Sequence, residues 1–297
     1  MSIDILNNER FTNIAPITKG WSKDKKYCVT DKSGTRYLLR ISDISRYENR
    51  ELLFEMQRRV ATLRVPMCKP IEFGTCVDGV YSLQSWIDGE DLKTVLLQYS
   101  EAEQYALGVQ SGEILKAMHS IPTPEGQEDW AAYYNRKIDR ALQAYQDCGI
   151  RFAGDAYVME YIAGNRGFLE NRPQYFQHGD YHIGNMMLEN GKLVIIDFDR
   201  YSFGDPWEEF NRVVFSAAVS SHFATGQLRG YFIGEPPLEF FRLLTLYIAV
   251  NALASMPWAI QFGQDEVDFM LKQSQTILAW HDNMINPVPT WYFKGFA

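Results

Sequence analysis

No C-x-x-C pair occurs in this 297-residue chain, and its four cysteines, Cys28, Cys68, Cys76 and Cys148, lie scattered. That argues against a disulfide framework and a cysteine-zinc site, and for reduced core thiols in a cytoplasmic protein. The N-terminus, MSIDILNNER, lacks the apolar run of a signal peptide. The most apolar stretch, LLTLYIAVNALASM (243–256), is broken by Thr245, Asn251 and Ser255. It is too short and too polar for a bilayer span and reads as a buried helix, so no membrane partner is expected. A basic excess is also missing: 29 Lys and Arg stand against 37 Asp and Glu, a net charge of −8. Nucleic acid, which needs a basic face, is therefore not an expected partner. The deficit is uneven. Residues 1–88 hold 14 basic and 11 acidic side chains, residues 89–297 hold 15 and 26. The acidic part suits a cationic small molecule, although acidic surfaces also serve solubility.

A chain of this length usually divides into two domains. Residues 25–41 read as a hairpin around the turn signal Asp31-Lys32-Ser33-Gly34. Residues 46–63 place Leu53, Met56, Val60 and Leu63 at helical spacing, and Pro66 and Pro70 stop the helix. A strand pair follows over 71–77 and 79–87. After Gly89 the pattern turns helical, at 102–119, 129–147 and from about 207 onward. The expected organisation is α+β. A small antiparallel-sheet lobe with one helix spans 1–88, a larger, mostly helical lobe spans 89–297, and an active cleft lies at their join.

The densest chemistry is FQHGDYHIGNMML (176–188), which holds His178, Asp180, His182 and Asn185. Residues 186–189 read as a strand, Asn190-Gly191 as a tight turn, and KLVIIDFDR (192–200) as an apolar strand ending in Asp197 and Asp199. The hairpin ties Asp180 and Asn185 to Asp197, three oxygen donors of the kind that select Mg²⁺. Protein kinases carry H-R-D-x-x-x-x-N and a later D-F-G, in which the first Asp accepts the substrate proton while Asn and the second Asp hold Mg²⁺. Here Asp180 and Asn185 keep the same five-residue step, and Asp197 stands in the D-F-G place. On this reading Asp180 is a catalytic base, Asn185 and Asp197 are metal ligands, and His178 and His182 are structural. Asp199 assists the metal or contacts substrate.

HGDYHIGNMML followed by VIIDFDRYSFGDPWEEF resembles the aminoglycoside phosphotransferase and choline kinase family, and the resemblance runs over nearly the whole chain. It implies a two-lobed, protein-kinase-like fold and transfer of phosphate from ATP or GTP to a small-molecule hydroxyl, such as that of an aminoglycoside or a similar cationic antibiotic. YCVTDKSGTRYLLRIS resembles the phosphate-covering strands. Arg40 stands where the family usually has the lysine that holds nucleotide phosphates, and an arginine can grip them bidentately. Its implied ion partner is a glutamate of the next helix, Glu51 in preference to Glu55. Gly20-Trp21-Ser22 matches the phosphate loop, with Ser22 as a donor. YSLQSWIDGEDL resembles the hinge, which makes Ser85, Trp86 and Ile87 the base-reading residues. The A-P-E segment of protein kinases is absent, against a protein substrate.

Two other readings remain at this stage. A metal hydrolase would use His178, Asp180 and His182 as ligands. A nucleotide-binding module without catalysis would follow if Arg40 cannot replace the lysine. In GDPW, Asp205 reads as a loop-fixing acid. Glu208 and Glu209 are alternatives for facing a cationic substrate, and Glu235, Glu239, Asp265, Glu266 and Asp268 read as a solvated face. The aromatic tail residues Trp291, Tyr292 and Phe293 are expected to dock on the larger lobe.

Overall fold

The computed structural model describes residues 4–6, 9–18 and 23–294. Its first five strands are β1 (Phe11–Ile17), β2 (Lys25–Asp31), β3 (Arg36–Ser42), β4 (Pro70–Cys76) and β5 (Gly79–Ser85). They form one antiparallel sheet in the order β1-β2-β3-β5-β4. The β2–β3 turn closes because Asp31 accepts the N–H groups of Ser33 at 2.9 Å and Thr35 at 3.0 Å, while Gly34 takes φ 85°. One face buries Val29, Leu39, Ile41 and Leu83 with Ile5 and Phe11. By strand alternation the other face carries Cys28, Leu38, Arg40 and Gln84.

Helix α1 (Tyr47–Thr62) follows β3 and buries Arg50, Leu53, Phe54, Gln57 and Val60. Gln84 donates to Gln57 at 3.0 Å, so the helix packs on the face that carries Arg40. The later elements are β6 (Glu90–Asp91), α2 (Leu92–Val95), α3 (Glu101–Met118), α4 (Trp130–Asp147), α5 (Asp155–Asn165), β7 (Tyr175–Gln177), β8 (Met186–Glu189), β9 (Lys192–Ile195), β10 (Ser202–Gly204), α6 (Val213–Ala217), α7 (Ser221–Phe232), α8 (Leu238–Ile260) and α9 (Gln264–Trp280).

Contacts group the chain into two compact units, Met1–Leu92 with Asn185–Tyr201, and Lys93–Gly184 with Ser202–Ala297. A cut near residue 88 does not contain that return of the chain. The β8–β9 hairpin joins the first unit because Glu90 and Asp91 pair with Leu188 and Met187, and Ile195 donates to the Pro66 carbonyl at 2.9 Å. β9 is also shorter than its apolar sequence predicts. It stops at Ile195, and Asp197 takes φ 65°, a left-handed conformation that a strand cannot hold.

The second unit is helical. Helices α3 and α7 touch backbone to backbone through Gly108, Gly112, Gly226 and Gly230. A Cβ on Gly108 would lie 2.1 Å from the Phe223 carbonyl oxygen, so alanine cannot replace it without parting the helices. Helix α8 is long and apolar enough to cross a membrane by composition, but 67% of that window is buried against the rest of the protein. It packs on α4, α5 and α9 as a core helix. Trp291 and Tyr292 are buried in this unit, and the Tyr292 hydroxyl donates to Glu235 at 2.6 Å.

Candidate active site

In the second unit, Asp180 sits in the bend between β7 and a 3₁₀ turn at Ile183–Asn185. Gly179 enters the bend with φ 83°, which a side chain would strain. Glu209, from GDPWEEF, holds the bend from below. It is buried and accepts the Gly179 N–H at 3.0 Å and the Tyr181 N–H at 3.4 Å. Burial pushes its carboxyl up, but His119, the charge of His178 and the Gly179 amide outweigh burial and hold it below the usual carboxylate range. The Tyr181 hydroxyl donates to the Ser111 carbonyl at 2.8 Å, and the Ile183 N–H to the Ser216 hydroxyl at 3.1 Å. Asp180 is thus presented on a loop fixed on both sides, with its side chain 19% exposed. Arg212 Nε and His182 Nε2 flank the same carboxylate oxygen, at 3.6 and 3.7 Å.

Both histidines serve the loop. His178 is fully buried, and its Nδ1 accepts the Asp180 N–H at 3.3 Å. His182 Nδ1 accepts the Gly184 N–H at 3.1 Å. Among the described residues no group of three His, Cys, Asp or Glu side chains is arranged to hold a metal ion. The hydrolase reading therefore lacks its ligand set. Glu208 and Glu209 do not face a substrate either. Glu208 takes Lys137 at 2.8 Å and Gln177 at 3.2 Å. Asp205 is a buried anchor, gripped by Arg172 at 2.7 and 3.1 Å and by the Tyr247 hydroxyl at 2.6 Å.

In the first unit, Arg40 does not pair with Glu51. Its guanidinium donates to Asp199, and its Nε lies 3.2 Å from Asp24. Glu51 is exposed and accepts the Tyr47 hydroxyl at 3.0 Å, and Glu55 is exposed and accepts from Arg58 at 3.2 Å. The reason is helical phase. Leu53, Phe54, Gln57 and Val60 set the buried stripe, and one turn earlier that stripe carries Arg50. Glu51, one residue on, is rotated by about 100° toward water.

Asn185 and Asp197 flank the base of the β8–β9 hairpin, where the Ile196 N–H donates to the Asn185 carbonyl at 3.0 Å. Left-handed φ at a non-glycine residue is strain of the kind found at ligand clamps, and here it turns Asp197 out of the strand. Arg40 and Asp197 both act on the Cys68 thiol, which is pushed up to about 12 by burial first, with Arg40 opposing and Asp197 adding to the rise. Two hard oxygen donors of this kind suit Mg²⁺, which would complete its shell with phosphate and water.

The hinge residues differ in what they offer. The Ser85 N–H donates to the Lys69 carbonyl at 2.9 Å and the Trp86 N–H to the Arg36 carbonyl at 3.4 Å. The Asp88 N–H donates to Glu189 at 2.6 Å. Among the described residues, no acceptor takes the Ile87 N–H. A cavity of about 460 Å³ in this unit is lined by Ser85, Trp86 and Ile87 with Met67, Lys69 and Lys192. Arg40 does not line it. Ser22 and the rest of Gly20-Trp21-Ser22 lie outside the described residues.

The sequence profile of the phosphotransferase enzyme family matches residues 13–241. The chain belongs to that family. No curated protein matches it. Among solved structures, a thermostable mutant of aminoglycoside phosphotransferase APH(4)-Ia in a ternary complex with ADP and hygromycin B superposes with a TM-score of 0.65 at 17% identity, over 90% of this chain and 94% of that one. A choline/ethanolamine kinase family protein from Mesorhizobium loti gives 0.67 at 17%, over 93% and 92%. The amicoumacin kinase hAmiN in complex with AMP-PNP, Ca²⁺ and Ami gives 0.63 at 15%, over 92% and 90%. The phosphotransferase therefore shares the protein-kinase-like α+β fold of these enzymes.

Three residues of the phosphotransferase escape a reading of local motifs. Asp24 precedes β2, Arg50 heads the buried stripe of α1, and Arg212 stands beside Asp180. The stripe phase set by Leu53, Phe54 and Val60 was the available signal for Arg50. No local pattern marks the other two.

Proposed function

We propose that this phosphotransferase moves the γ-phosphoryl group of ATP or GTP to a hydroxyl of a small molecule, with Asp180 as the base. The acceptor oxygen attacks the γ-phosphorus, its proton passes to Asp180, and the bond to the bridging oxygen breaks to release the nucleoside diphosphate. The observation that carries this reading is the carboxylate of Asp180, reachable from solvent on a loop that Glu209, Ser111 and Ser216 pin. Such fixing suits a reaction that depends on positioning. Asn185 and Asp197 are the residues to hold Mg²⁺, which when bound neutralises phosphate charge. Arg40 directs its guanidinium at the phosphates, Ser22 adds a donor, and the hinge from Ser85 to Ile87 reads the base, with the Ile87 N–H as its donor.

The acceptor in this reading is an aminoglycoside or a similar cationic antibiotic, and the activity is one of resistance. The acid-rich sequence of residues 89–297 supports a cation. A nucleoside triphosphate donor is consistent with action in the cytoplasm. The test is release of ADP or GDP across a panel of aminoglycosides, amino alcohols and neutral polyols. Turnover on at least one cationic acceptor is expected, together with loss of turnover but retention of nucleotide binding in Asp180→Asn. Turnover on neutral acceptors alone removes the cationic assignment, and full single-turnover phosphorylation by Asp180→Asn removes Asp180 from the base role.

A further inference from the structure

Helix α1 brings Arg40 no carboxylate. It brings a second arginine. Arg50 is 7% exposed, a degree of burial that a guanidinium tolerates only when it is paired. One of its terminal nitrogens donates to Asp199 at 3.0 Å and the other to Asp24. Arg40 touches the same two acids. The four side chains close a ring in which each arginine meets both aspartates and each aspartate meets both arginines. Asp24, 2% exposed, also takes Arg46 at 2.8 Å from outside the ring. The Nε–H groups of Arg40 and Arg50 are buried without a hydrogen-bond partner.

The positions of the two acids give the ring its use. Asp24 immediately precedes β2, at the end of the β1–β2 connection, and Asp199 follows Asp197 by two residues. We propose that Asp24 and Asp199 are the positioning carboxylates of Arg40, and that Arg50 ties them together. The ring takes the part of a strand-cation and helix-acid pair, with the helix supplying a cation instead. The inference rests on the reading above, in which Arg40 faces the nucleotide phosphates. It also assigns Asp199, since a carboxylate engaged by two guanidinium groups is a positioning acid and not a metal ligand.

The full chain serves as the test, with nucleotide affinity measured calorimetrically and steady-state kinetics read at varied nucleotide and varied Mg²⁺. Asp24→Asn, Arg50→Gln and Asp199→Asn are each expected to raise the nucleotide KM by roughly tenfold, the scale of one charged hydrogen bond, at an unchanged Mg²⁺ half-saturation. The double variant Asp24→Asn/Arg50→Gln should cost no more than the worse single change, because both open the same ring. Arg50→Lys keeps the charge and loses the fork, so it should fold and show a partial loss even where Arg50→Gln does not fold. Nucleotide KM within twofold of wild type in Arg50→Lys and Asp24→Asn overturns the ring. A shift of Mg²⁺ half-saturation in Asp199→Asn larger than its shift in nucleotide KM returns Asp199 to the metal. Wild-type protein that binds no nucleotide defeats the nucleotide reading itself and the ring's role with it, whereas normal wild-type binding with silent variants defeats the ring alone.

Discussion

Arg212 Nε stands 3.6 Å from the Asp180 carboxylate. On the proposed mechanism, a guanidinium at that distance attracts the carboxylate that would take the acceptor's proton. Arg212→Met is expected to lower kcat by about tenfold to a hundredfold, the range of one lost electrostatic contact at a reacting centre, and to leave nucleotide KM near wild type. Arg212→Lys should recover part of the rate. A loss confined to nucleotide KM would assign Arg212 to donor binding instead.

Asn185→Ala and Asp197→Ala are each expected to weaken nucleotide binding only when Mg²⁺ is present. On the proposed assignment, each Ala substitution would remove one of the two hard oxygen donors that would hold the ion. Titrations with and without Mg²⁺ separate this from a collapse of the β8–β9 hairpin, which would weaken binding equally in both.

Local features were legible in the sequence and distant ones were not. The Asp31–Gly34 turn, helix α1 and the paired strands β4 and β5 follow from short-range patterns, and they form where those patterns put them. β1 gave no such signal. It is a mostly exposed edge strand containing Pro16, which an edge tolerates and an alternating pattern hides. The HGDYHIGN loop announces itself because its residues lie within one bend. The partners of Arg40 do not, because the contact to Asp199 spans 159 residues. The phase of α1 was readable from Leu53, Phe54 and Val60, and Glu51 lies off that stripe and faces water.

Glu209 should couple stability to loop order. Its carboxyl is held below the usual range in the folded protein, so its contribution is present above the unfolded value near 4.5 and is lost as pH falls through the folded value. Glu209→Gln leaves the Gly179 and Tyr181 amides with a weaker acceptor and His119 without its acid. A loss of about 3 kcal/mol at neutral pH is expected, on the scale of breaking a buried charged pair. Amide hydrogen exchange should rise at Gly179 and Tyr181 before it rises elsewhere in the unit. Uniform exchange would mean that Glu209 supports the fold without singling out the loop.

His281 closes α9 and sets a second pH limit. The side chain is fully buried, its Nδ1 donates to the Asn286 carbonyl at 3.0 Å, and Thr245 lies 3.5 Å away. Burial drives its pKa down to about 4, against the upward pull of the Asn286 carbonyl. In the unfolded chain the imidazole titrates near 6.5. Between those values the unfolded chain holds a proton that the folded protein refuses, so stability rises with pH across the window and is fully present above 6.5. The difference amounts to about 3 kcal/mol on going from pH 7 to below pH 4. Denaturant unfolding of wild type and His281→Gln at pH 7.5, 6, 5 and 4.5 checks it. The variant is expected to start less stable at pH 7.5, since glutamine does not fill the imidazole site, and then to lose less as pH falls, with a slope lower by close to one proton. Equal slopes in the two proteins would place the acid-sensitive group elsewhere.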